Sequence, residues 1–357
     1  MSAQQIPVVV LAGFLGSGKT TLLNQLLRSA RGTRIGVMVN DFGSIEVDAM
    51  TVAGQVGSTV SLGNGCLCCA VDASELDTYL ETLTRPAARL DVIVIEASGL
   101  AEPQELVRMI LASDNDRILY GGLVQVIDAA EFDATRERHP ETDRHLAIAD
   151  LVVVNKADRV SAEELRRVRG AVTGLAGRAA VTEAVYGRVD PELLFDRVVR
   201  EDDGGARQLS FEDLDEVYAV AEPHAHAAYE TVSFTAPGPL HPRRLLEFLD
   251  SRPQGLYRIK GFVDFGAADP GNRYAIHAVG RFLRFRPEPW PPGADRLTQL
   301  VLIGSGTDGE ALLKALDGCR VTGPADAPDE HAMWGVLRYA PEGTAGEEPP
   351  PPADAEF

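Results

Sequence analysis

The chain has 357 residues, of which 45% are hydrophobic and 24% charged, and its formal net charge is −19 at pH 7. This composition is typical of a globular protein, and the length predicts two domains. The negative charge would repel a phosphate backbone, which argues against nucleic acid as a partner. No apolar run approaches the roughly 20 residues that a membrane-spanning helix needs, and no basic leader opens the sequence. We therefore expect a cytoplasmic protein with no membrane partner.

The first part of the chain alternates short, β-branched apolar runs with helical patterns. The apolar runs predict strands at 7–13, 34–40, 59–63, 91–97, 122–129 and 151–157. Helical patterns lie between most of these runs, for example at 19–30, 73–88, 103–112 and 161–173. Strands this uniformly apolar are typical of a mostly parallel sheet with helices on both faces. We therefore predict an α/β domain over residues 1–200, closed by the unit "AAVTEAV" and "DPELLFDRVV".

The remainder of the chain predicts a second, smaller domain. Residues 201–227 are acidic and lack periodicity, which indicates a linker. An α+β domain is expected over 228–340, with two helices packed against a largely antiparallel sheet. Its predicted strands are 229–235, 256–264, 273–278, 281–286 and 298–303. Its predicted helices are 241–250 and 308–317. The proline-rich, acidic tail, 341–357, predicts disorder.

A glycine-rich segment lies between the first predicted strand and the first predicted helix. The segment "GFLGSGKTT" (13–21) matches G-x-x-x-x-G-K-[ST], and this context makes the match specific. Its glycines let backbone N–H groups close around a phosphate, Lys19 would neutralise the β- and γ-phosphates, and the Thr20 hydroxyl would bind Mg²⁺. The sequence therefore predicts a P-loop NTPase whose nucleotide is held by Gly13, Gly16, Ser17, Gly18, Lys19, Thr20 and Thr21.

The segment "VVVNKAD" predicts which base the nucleotide carries. Asn155, Lys156 and Asp158 follow an apolar strand, at the end where ligands of parallel sheets bind. A carboxylate at Asp158 can accept hydrogen bonds from both N1–H and the exocyclic amine of guanine. Adenine lacks this pair of donors and would leave the charge unpaired. The predicted nucleotide is therefore GTP.

Two further segments supply candidate catalytic residues. The strand "VIVIE" ends in Glu96, which would hold Mg²⁺ through a water or orient the attacking water, and Gly99 would offer its N–H to the γ-phosphate. The loop "NDFGSIEVD" (40–48) carries Asp41, Glu46 and Asp48, and loops of this kind become ordered around the γ-phosphate and Mg²⁺. We predict Lys19, Asp48 and Glu96 as the catalytic residues. Each of these acids could instead be a solvated turn residue.

Three of the four cysteines lie within four positions, in "GNGCLCCAVD" (63–72). The thiolates of Cys66, Cys68 and Cys69 would form a soft site that suits Zn²⁺ or Co²⁺. A structural zinc site normally has four ligands, and no second Cys or His pair lies nearby, so this site suits a metal that must leave. A redox pair and buried packing cysteines are the alternatives, although adjacent cysteines bridge only with strain.

The remaining cysteine and the histidines have simpler interpretations. Cys319, which follows a predicted helix, is expected to be a packed core residue. His224 and His226 are spaced to bind a ligand on one face of an extended segment, but such a pair is more typical of a surface. His277 is expected to be a strand residue whose polar atoms have hydrogen-bond partners.

The motifs together resemble one family. "GFLGSGKTTLLN", "NDFGSIEVD", "GNGCLCC", "IEASGLAEP" and "NKAD", in this order, resemble the CobW-type GTPases, P-loop metallochaperones related to the nickel-insertion GTPases of urease and hydrogenase maturation. The similarity continues through "HAHAAYETVSF", "LYRIKGFV" and "LVLIGSG" in the second predicted domain. The resemblance implies a GTPase whose Cys-x-Cys-Cys motif binds zinc or cobalt, with an affinity that depends on the bound nucleotide. Hydrolysis would then release the ion to a client metalloprotein or a metal-requiring cofactor pathway.

The resemblance also assigns residues and shows two departures. It places the metal on Cys66, Cys68 and Cys69. The family's loop commonly reads N-E-F-G-E, with acids that help to bind metal, and Asp41 and Ser44 occupy those two positions here. Asp41 is therefore a candidate ligand and Ser44 is not. Relatives with a long histidine-rich stretch could store several ions, which a chain with only His224 and His226 in that region is not expected to do.

The predicted mechanism couples the two sites. GTP and Mg²⁺ would order the loop 40–48 and shape residues 63–69, so that the thiols close on the ion until hydrolysis loosens them. Two alternatives remain open at this point. One is a P-loop kinase of a small molecule with structural thiols, and the other is a non-catalytic metal buffer or sensor in which GTP only stabilises the fold. The oligomeric state is also open.

Overall fold

A computed structural model describes residues 5–29, 32–39, 59–61, 73–86, 88–99, 101–196, 229–329 and 331–340. These residues form two compact units. The first contains the described residues up to Glu230, together with Pro253–Tyr257 and Ile303–Thr307; the second contains Thr231–Arg252, Arg258–Leu302 and the described residues from Asp308 onward. The predicted boundary at residue 200, the linker 201–227 and the tail 341–357 lie outside the described residues and stay predictions.

A seven-stranded sheet forms the centre of the first unit. Its strands are β1 (Ile6–Ala12), β2 (Ile35–Val39), β3 (Thr59–Ser61), β4 (Val92–Glu96), β5 (Ile118–Asp128), β6 (Leu151–Asn155) and β7 (Ala180–Glu183). They lie in the order β3-β2-β4-β1-β5-β6-β7, and every neighbouring pair is parallel. The prediction of a mostly parallel sheet is confirmed. All residues of β2, β4 and β6 are buried, as expected of strands covered on both faces.

Strand β5 begins four residues earlier than predicted. The prediction placed its start at Gly122, the second residue of a glycine pair. In the structure the register against β1 shifts at this point, with Val8 opposite Tyr120 and Val9 opposite Gly122. Gly121 is therefore the extra residue of a bulge, which lets the strand continue through both glycines.

The helices of the first unit are α1 (Lys19–Ser29), α2 (Ala73–Leu83), α3 (Pro103–Ala112), α4 (Phe132–Arg138), α5 (Glu141–Ile148), α6 (Ala162–Leu175) and α7 (Pro191–Leu194). Helix α1 buries Leu22, Leu23 and Leu26. Burying each of these leucines is worth roughly 1.5–3 kcal/mol, so the helix start is held firmly at the carboxyl end of β1. Helices α4 and α5 were not predicted. Both are short, α4 buries only Phe132, and Pro140 separates them, so neither shows a clear helical period.

The second unit is a five-stranded sheet with helices. Its strands are β8 (Glu230–Pro237), β9 (Leu256–Val263), β10 (Asn272–Val279), β11 (Phe282–Pro289) and β12 (Leu297–Gly304), and its helices are α8 (Pro242–Asp250), α9 (Gly309–Asp317) and α10 (Trp334–Leu337). The strand order is β11-β10-β9-β12-β8, and β10 pairs antiparallel with both β9 and β11. The predicted α+β architecture is confirmed, with α10 as an unpredicted addition.

Aromatic and sulfur side chains fill the core of the second unit. The ring of Phe265 lies 5.1 Å from that of Tyr274 and 6.2 Å from that of Phe285, measured between ring centroids, and all three residues are buried. Cys319 is buried as predicted, and burial raises the pKa of its thiol to about 11. His277 lies in β10, as predicted for a strand residue. None of the helices in the described ranges has the length and apolar character needed to cross a membrane.

Candidate functional site

The loop of residues 13–18 joins β1 to α1 at the carboxyl edge of the parallel sheet. Its three glycines have backbone conformations that side chains rarely adopt, with φ of +147° at Gly13, +76° at Gly16 and +100° at Gly18. A Cβ on Gly13 would overlap the carbonyl oxygen of Val126, and one on Gly18 would overlap Nδ2 of Asn155. Both positions therefore require glycine for shape as well as conformation. The loop leads directly into the N-terminus of α1, an arrangement that favours anions.

Lys19 and Thr20, the first two residues of α1, turn their polar groups in different directions. The Lys19 ammonium donates hydrogen bonds to the carbonyl oxygens of Gly13, at 2.9 Å, and Phe14, at 3.4 Å. The Thr20 hydroxyl donates to Oε1 of Glu96 at 2.7 Å. Glu96 ends β4 and is buried. A hydroxyl and a carboxylate are thus paired at the end of β4, while the Lys19 ammonium is held by the loop that follows β1.

Asn155 and Lys156 tie the end of β6 to the same loop. The buried amide of Asn155 donates from Nδ2 to the Ser17 carbonyl at 2.9 Å, and its Oδ1 accepts a hydrogen bond from the N–H of Gly187, also at 2.9 Å. Lys156 has a left-handed backbone conformation, with φ of 58°. Its ammonium donates to the Gly16 carbonyl at 2.7 Å. The N-K-x-D segment and the glycine-rich loop are therefore in direct contact.

Asp158 follows these anchors in a short helical turn, Ala157–Arg159, and is exposed. Because Asn155 is fixed from two sides and Lys156 from the loop, the position of this turn is fixed relative to the glycine-rich loop. An exposed carboxylate at such a turn is available to accept hydrogen bonds from a ligand.

The segment after β4 packs directly on the glycine-rich loop. A Cβ on Gly99 would lie only 2.7 Å from the backbone nitrogen of Leu15, so the close approach of the two segments depends on this glycine. Leu15 is 58% exposed. A displacement of residues 98–99 would therefore also displace the glycine-rich loop, because the two segments are in close contact.

Asp128 is a site residue that the sequence analysis missed. It ends β5, and its side chain is only 10% exposed. Its Oδ2 lies 2.7 Å from the Lys156 ammonium and 3.7 Å from the Arg159 guanidinium. Asp128 thereby holds Lys156 in place beside the loop. The signal was present in the sequence, because "GLVQVID" ends in an acid just as "VIVIE" does.

The structure brings together most of the predicted nucleotide residues but does not describe the predicted metal ligands. The predicted residues outside the described part of the chain are Asp41, Glu46, Asp48, Cys66, Cys68, Cys69, His224 and His226. Ser44 lies outside it as well. Thr21 lies in α1 and is exposed. Among the described residues, no group of three or more His, Cys, Asp or Glu side chains is placed to hold a metal ion.

The strand order, the loop and the N-K-x-D contact can be compared with known proteins. The family described as "CobW/HypB/UreG, nucleotide-binding domain" matches residues 7–183, and the family described as "Cobalamin synthesis protein cobW C-terminal domain" matches residues 229–320. The crystal structure of the Zn(II)-bound YjiA GTPase from E. coli has a TM-score of 0.43 and 22% identity, and the similarity covers 89% of this chain and 99% of that one.

Two bacterial relatives match over most of their length. The zinc chaperone CobW of Sinorhizobium sp is 31% identical over 346 residues, which cover 87% of this chain and 96% of that protein. The zinc chaperone CobW of Pseudomonas aeruginosa is 31% identical over 353 residues, which cover 87% of this chain and 91% of that protein. Similarity of this extent, together with family matches in both structural units, shows that the chain belongs to the CobW family.

Proposed function

We propose that this protein is a GTP-hydrolysing metallochaperone. It would bind zinc or cobalt at Cys66, Cys68 and Cys69 and pass the ion to a client metalloprotein or a metal-requiring cofactor pathway, in a manner that depends on the bound nucleotide. The nucleotide half of the proposal is supported above all by one observation: the Asn155 amide is hydrogen-bonded to the glycine-rich loop at Ser17. The metal half is supported by the relatives named zinc chaperones.

The phosphates would bind in the glycine-rich loop at the start of α1. The Lys19 ammonium bonds to two carbonyl oxygens of its own loop, and the β- and γ-phosphates would replace these partners with stronger, charged ones. Backbone N–H groups of the loop and the N-terminus of α1 would add to the attraction. The binding of the triphosphate therefore rearranges hydrogen bonds within a loop that Gly99 contacts.

Thr20 and Glu96 fit a magnesium ion. Mg²⁺ prefers hard oxygen ligands, and the hydroxyl of Thr20 and the carboxylate of Glu96 lie within 2.7 Å of each other. Glu96 is 3% exposed, and a carboxylate buried to this degree needs donors or a cation beside it. When bound, Mg²⁺ would neutralise charge that develops on the phosphates. Glu96 would hold the ion through a water or orient the attacking water, together with Asp48.

The guanine base would be recognised by the turn after β6. Asn155 and Lys156 position the turn, and the Asp158 carboxylate would accept two hydrogen bonds from the base. The exposure of Asp158 is consistent with a partner that the chain itself does not supply.

The topology of the sheet supports coupling between the nucleotide and the thiols. Strands β3, β2, β4 and β1 are consecutive neighbours and all parallel, so their carboxyl ends share one edge. The glycine-rich loop follows β1 and Glu96 ends β4. The loop that contains Asp41, Glu46 and Asp48 follows β2, and the Cys-x-Cys-Cys motif follows β3. Both segments therefore begin at the edge where the triphosphate would bind, in a reducing cytoplasm that would keep the thiols free.

The proposal is tested by GTP turnover with and without Zn²⁺ or Co²⁺. We expect hydrolysis of GTP, a change of severalfold in its rate when metal is added, and loss of this change in Cys66→Ser and Cys68→Ser variants. Cys319→Ala is the matched control, because its thiol is buried in the second unit. Turnover indifferent to metal would contradict the chaperone and favour a metal buffer, and phosphate transfer to a second substrate would indicate a kinase.

A further inference from the structure

A cavity of about 300 Å³ lies against the glycine-rich loop. Its walls come from loop residues 13–17, residues 98–99 and 101–103, the end of β5 and helices α4 and α5. The cavity shares Gly13, Gly16, Ser17, Gly99 and Lys156 with the residues proposed to bind the nucleotide, but Lys19, Thr20 and Glu96 are not among its lining residues, so it adjoins the site proposed for the phosphates and Mg²⁺. Its volume lies at the lower end of the range of small-ligand sites.

Within the part of the chain that the structure describes, two buried polar atoms at this cavity lack a hydrogen-bond partner. Gln125 is 2% exposed and Ser17 3%, and both line the cavity. Among the described residues, neither Oε1 of Gln125 nor Oγ of Ser17 has a hydrogen-bonding partner. Buried polar atoms are almost always paired, so two such atoms at one cavity indicate a group that enters from outside the chain, or an ordered water.

The rest of the lining combines apolar surface with an excess of carboxylates. Phe14, Leu15 and Phe132 supply apolar walls. Four acids and two permanent cations also line the cavity: Glu102, Asp128, Glu131 and Glu141, with Lys156 and Arg159. Both cations lie against a single acid, Asp128. Arg138 lies 3.7 Å from Glu131, and His139 lies 3.1 Å from Glu141. Glu102 is therefore the carboxylate best placed to favour a ligand that is positively charged and donates hydrogen bonds.

Glu102 marks the side of the cavity that belongs to the segment after β4. Its carboxylate lies 3.3 Å from Nε2 of His145, on α5, and 3.5 Å from the exposed Arg144 guanidinium. Neither contact is a tight charged pair, because His145 is uncharged unless protonated and Arg144 is in solvent. Glu102 is therefore able to accept a hydrogen bond from a further donor.

We propose that the cavity binds an arginine side chain of a partner protein. The apolar stem would lie against Phe14 and Phe132, and the guanidinium would donate hydrogen bonds to Gln125 and to Glu102. A guanidinium fits this combination better than an ammonium, because it presents five donors in a plane and stacks on aromatic faces.

The position of the cavity links its occupant to the nucleotide. Ser98, Gly99 and Glu102 line it, and they belong to the segment that follows Glu96 and contacts the glycine-rich loop at Leu15. If this segment has two arrangements and the bound side chain fits one of them better, binding shifts the equilibrium toward that arrangement. The partner and the nucleotide would then alter each other's affinity by the same factor. This coupling, unlike the cavity itself, rests on the proposed function.

The cavity is tested on the nucleotide-free full-length chain, with phenylguanidine as the probe and its uncharged analogue phenylurea as the matched control. Isothermal titration should show saturable binding of phenylguanidine that is at least tenfold tighter than that of phenylurea. Benzylamine, a probe with an ammonium head, should bind more weakly than phenylguanidine. Equal binding of the charged and neutral probes would overturn the proposal, as would no saturable binding, which is the result expected if water alone fills the cavity.

Substitutions at the cavity distinguish a loss of probe binding from a loss of the fold. Gln125→Leu should weaken the binding of phenylguanidine by at least tenfold while leaving the thermal midpoint equal or higher, because it removes a buried amide oxygen that has no partner among the described residues. Glu102→Gln should weaken this binding as well, whereas Glu105→Gln, which lies three residues further on in α3 and outside the cavity, should not. Should Gln125→Leu fail to fold, Thr135→Met provides a second route, because its longer side chain would fill the cavity and exclude the probe. Binding unchanged in Glu102→Gln and Thr135→Met would overturn the proposal.

The coupling is tested by GTP turnover in the presence of the probe. Saturating phenylguanidine should change the rate at least threefold in the wild type and leave it unchanged in Glu102→Gln. Charge-selective binding without any effect on turnover would overturn the coupling and leave the binding site in place. Absence of GTP hydrolysis altogether would instead overturn the proposed function, since the titration is carried out without nucleotide.

Discussion

The side-chain amide of Asn155 bridges two loops, because it donates to the Ser17 carbonyl and accepts from the Gly187 N–H, each at 2.9 Å. Asn155 is 1% exposed, so its substitution leaves a buried carbonyl and a buried N–H without partners. We expect Asn155→Ala to lower the free energy of unfolding by about 1–3 kcal/mol, measured by urea denaturation. GTP affinity should fall at least tenfold, because the N-K-x-D turn loses its tie to the loop. Asn115→Ala, a half-buried amide in the same unit, should leave GTP affinity unchanged.

Gly18 should tolerate no side chain. In Gly18→Ala the new Cβ would overlap Nδ2 of Asn155, at a residue with φ of +100°. The variant should lose both stability and nucleotide binding, measured by thermal unfolding and by fluorescent-nucleotide titration. Gly170→Ala is the matched control, because Gly170 lies inside α6 with no heavy atom within 4 Å of the added Cβ. That control should gain roughly 0.5–1 kcal/mol of stability, since alanine favours helix. Equal losses in the two variants would contradict this account.

Asp158→Asn should change which base is bound. In the proposed site the carboxylate would accept two hydrogen bonds from guanine, whereas the amide of Asn offers one acceptor and one donor, a pattern that matches xanthine. GTP affinity should therefore fall at least tenfold and that for xanthosine triphosphate should rise, measured by competition binding. Glu163→Gln removes an exposed acid from the first turn of α6 and should change neither affinity. An unaltered preference for GTP in Asp158→Asn would show that the base is recognised elsewhere.

Cys319 should be the slowest of the four cysteines to react with iodoacetamide in the folded protein. Its thiol is buried, and burial raises its pKa to about 11, so at pH 8 about one thiol in a thousand is ionised. Mass spectrometry of the metal-free protein after timed alkylation checks this order. The reaction should accelerate as the pH approaches 11 or as the protein unfolds. Labelling of Cys319 at the rate of an exposed thiol would contradict its placement in the core.

The sequence predicted those parts of the site that follow strands. Glu96 and Asn155 end apolar runs, and the order of such runs in a parallel sheet places their ends at one edge. The glycine-rich loop was predicted for a related reason, since Gly13 and Gly18 occupy positions where side chains do not fit. Local pattern and long-range packing point to the same residues here.

The parts that the sequence did not predict depend on contacts between distant segments. The sequence alone does not show the role of Asp128. That role follows from the pairing of β5 with β6, which brings its carboxylate within 2.7 Å of the Lys156 ammonium. Helices α4 and α5 bury too few side chains to show a helical period, and their role as cavity walls follows only from packing. The bulge at Gly121 was missed because a glycine pair indicates a turn as readily as a bulge. Tertiary context decides such cases.

The central claim is that the nucleotide pocket and the thiols respond to each other. Its most direct test is the Zn²⁺ affinity of the purified protein, measured by competition with a chromophoric chelator in the presence of Mg²⁺ with a non-hydrolysable GTP analogue, with GDP and without nucleotide. We predict that the GTP analogue tightens zinc binding at least tenfold relative to GDP, equivalent to about 1.4 kcal/mol of coupling, and that Cys68→Ser abolishes the difference. Equal zinc affinity in all three states would contradict the account.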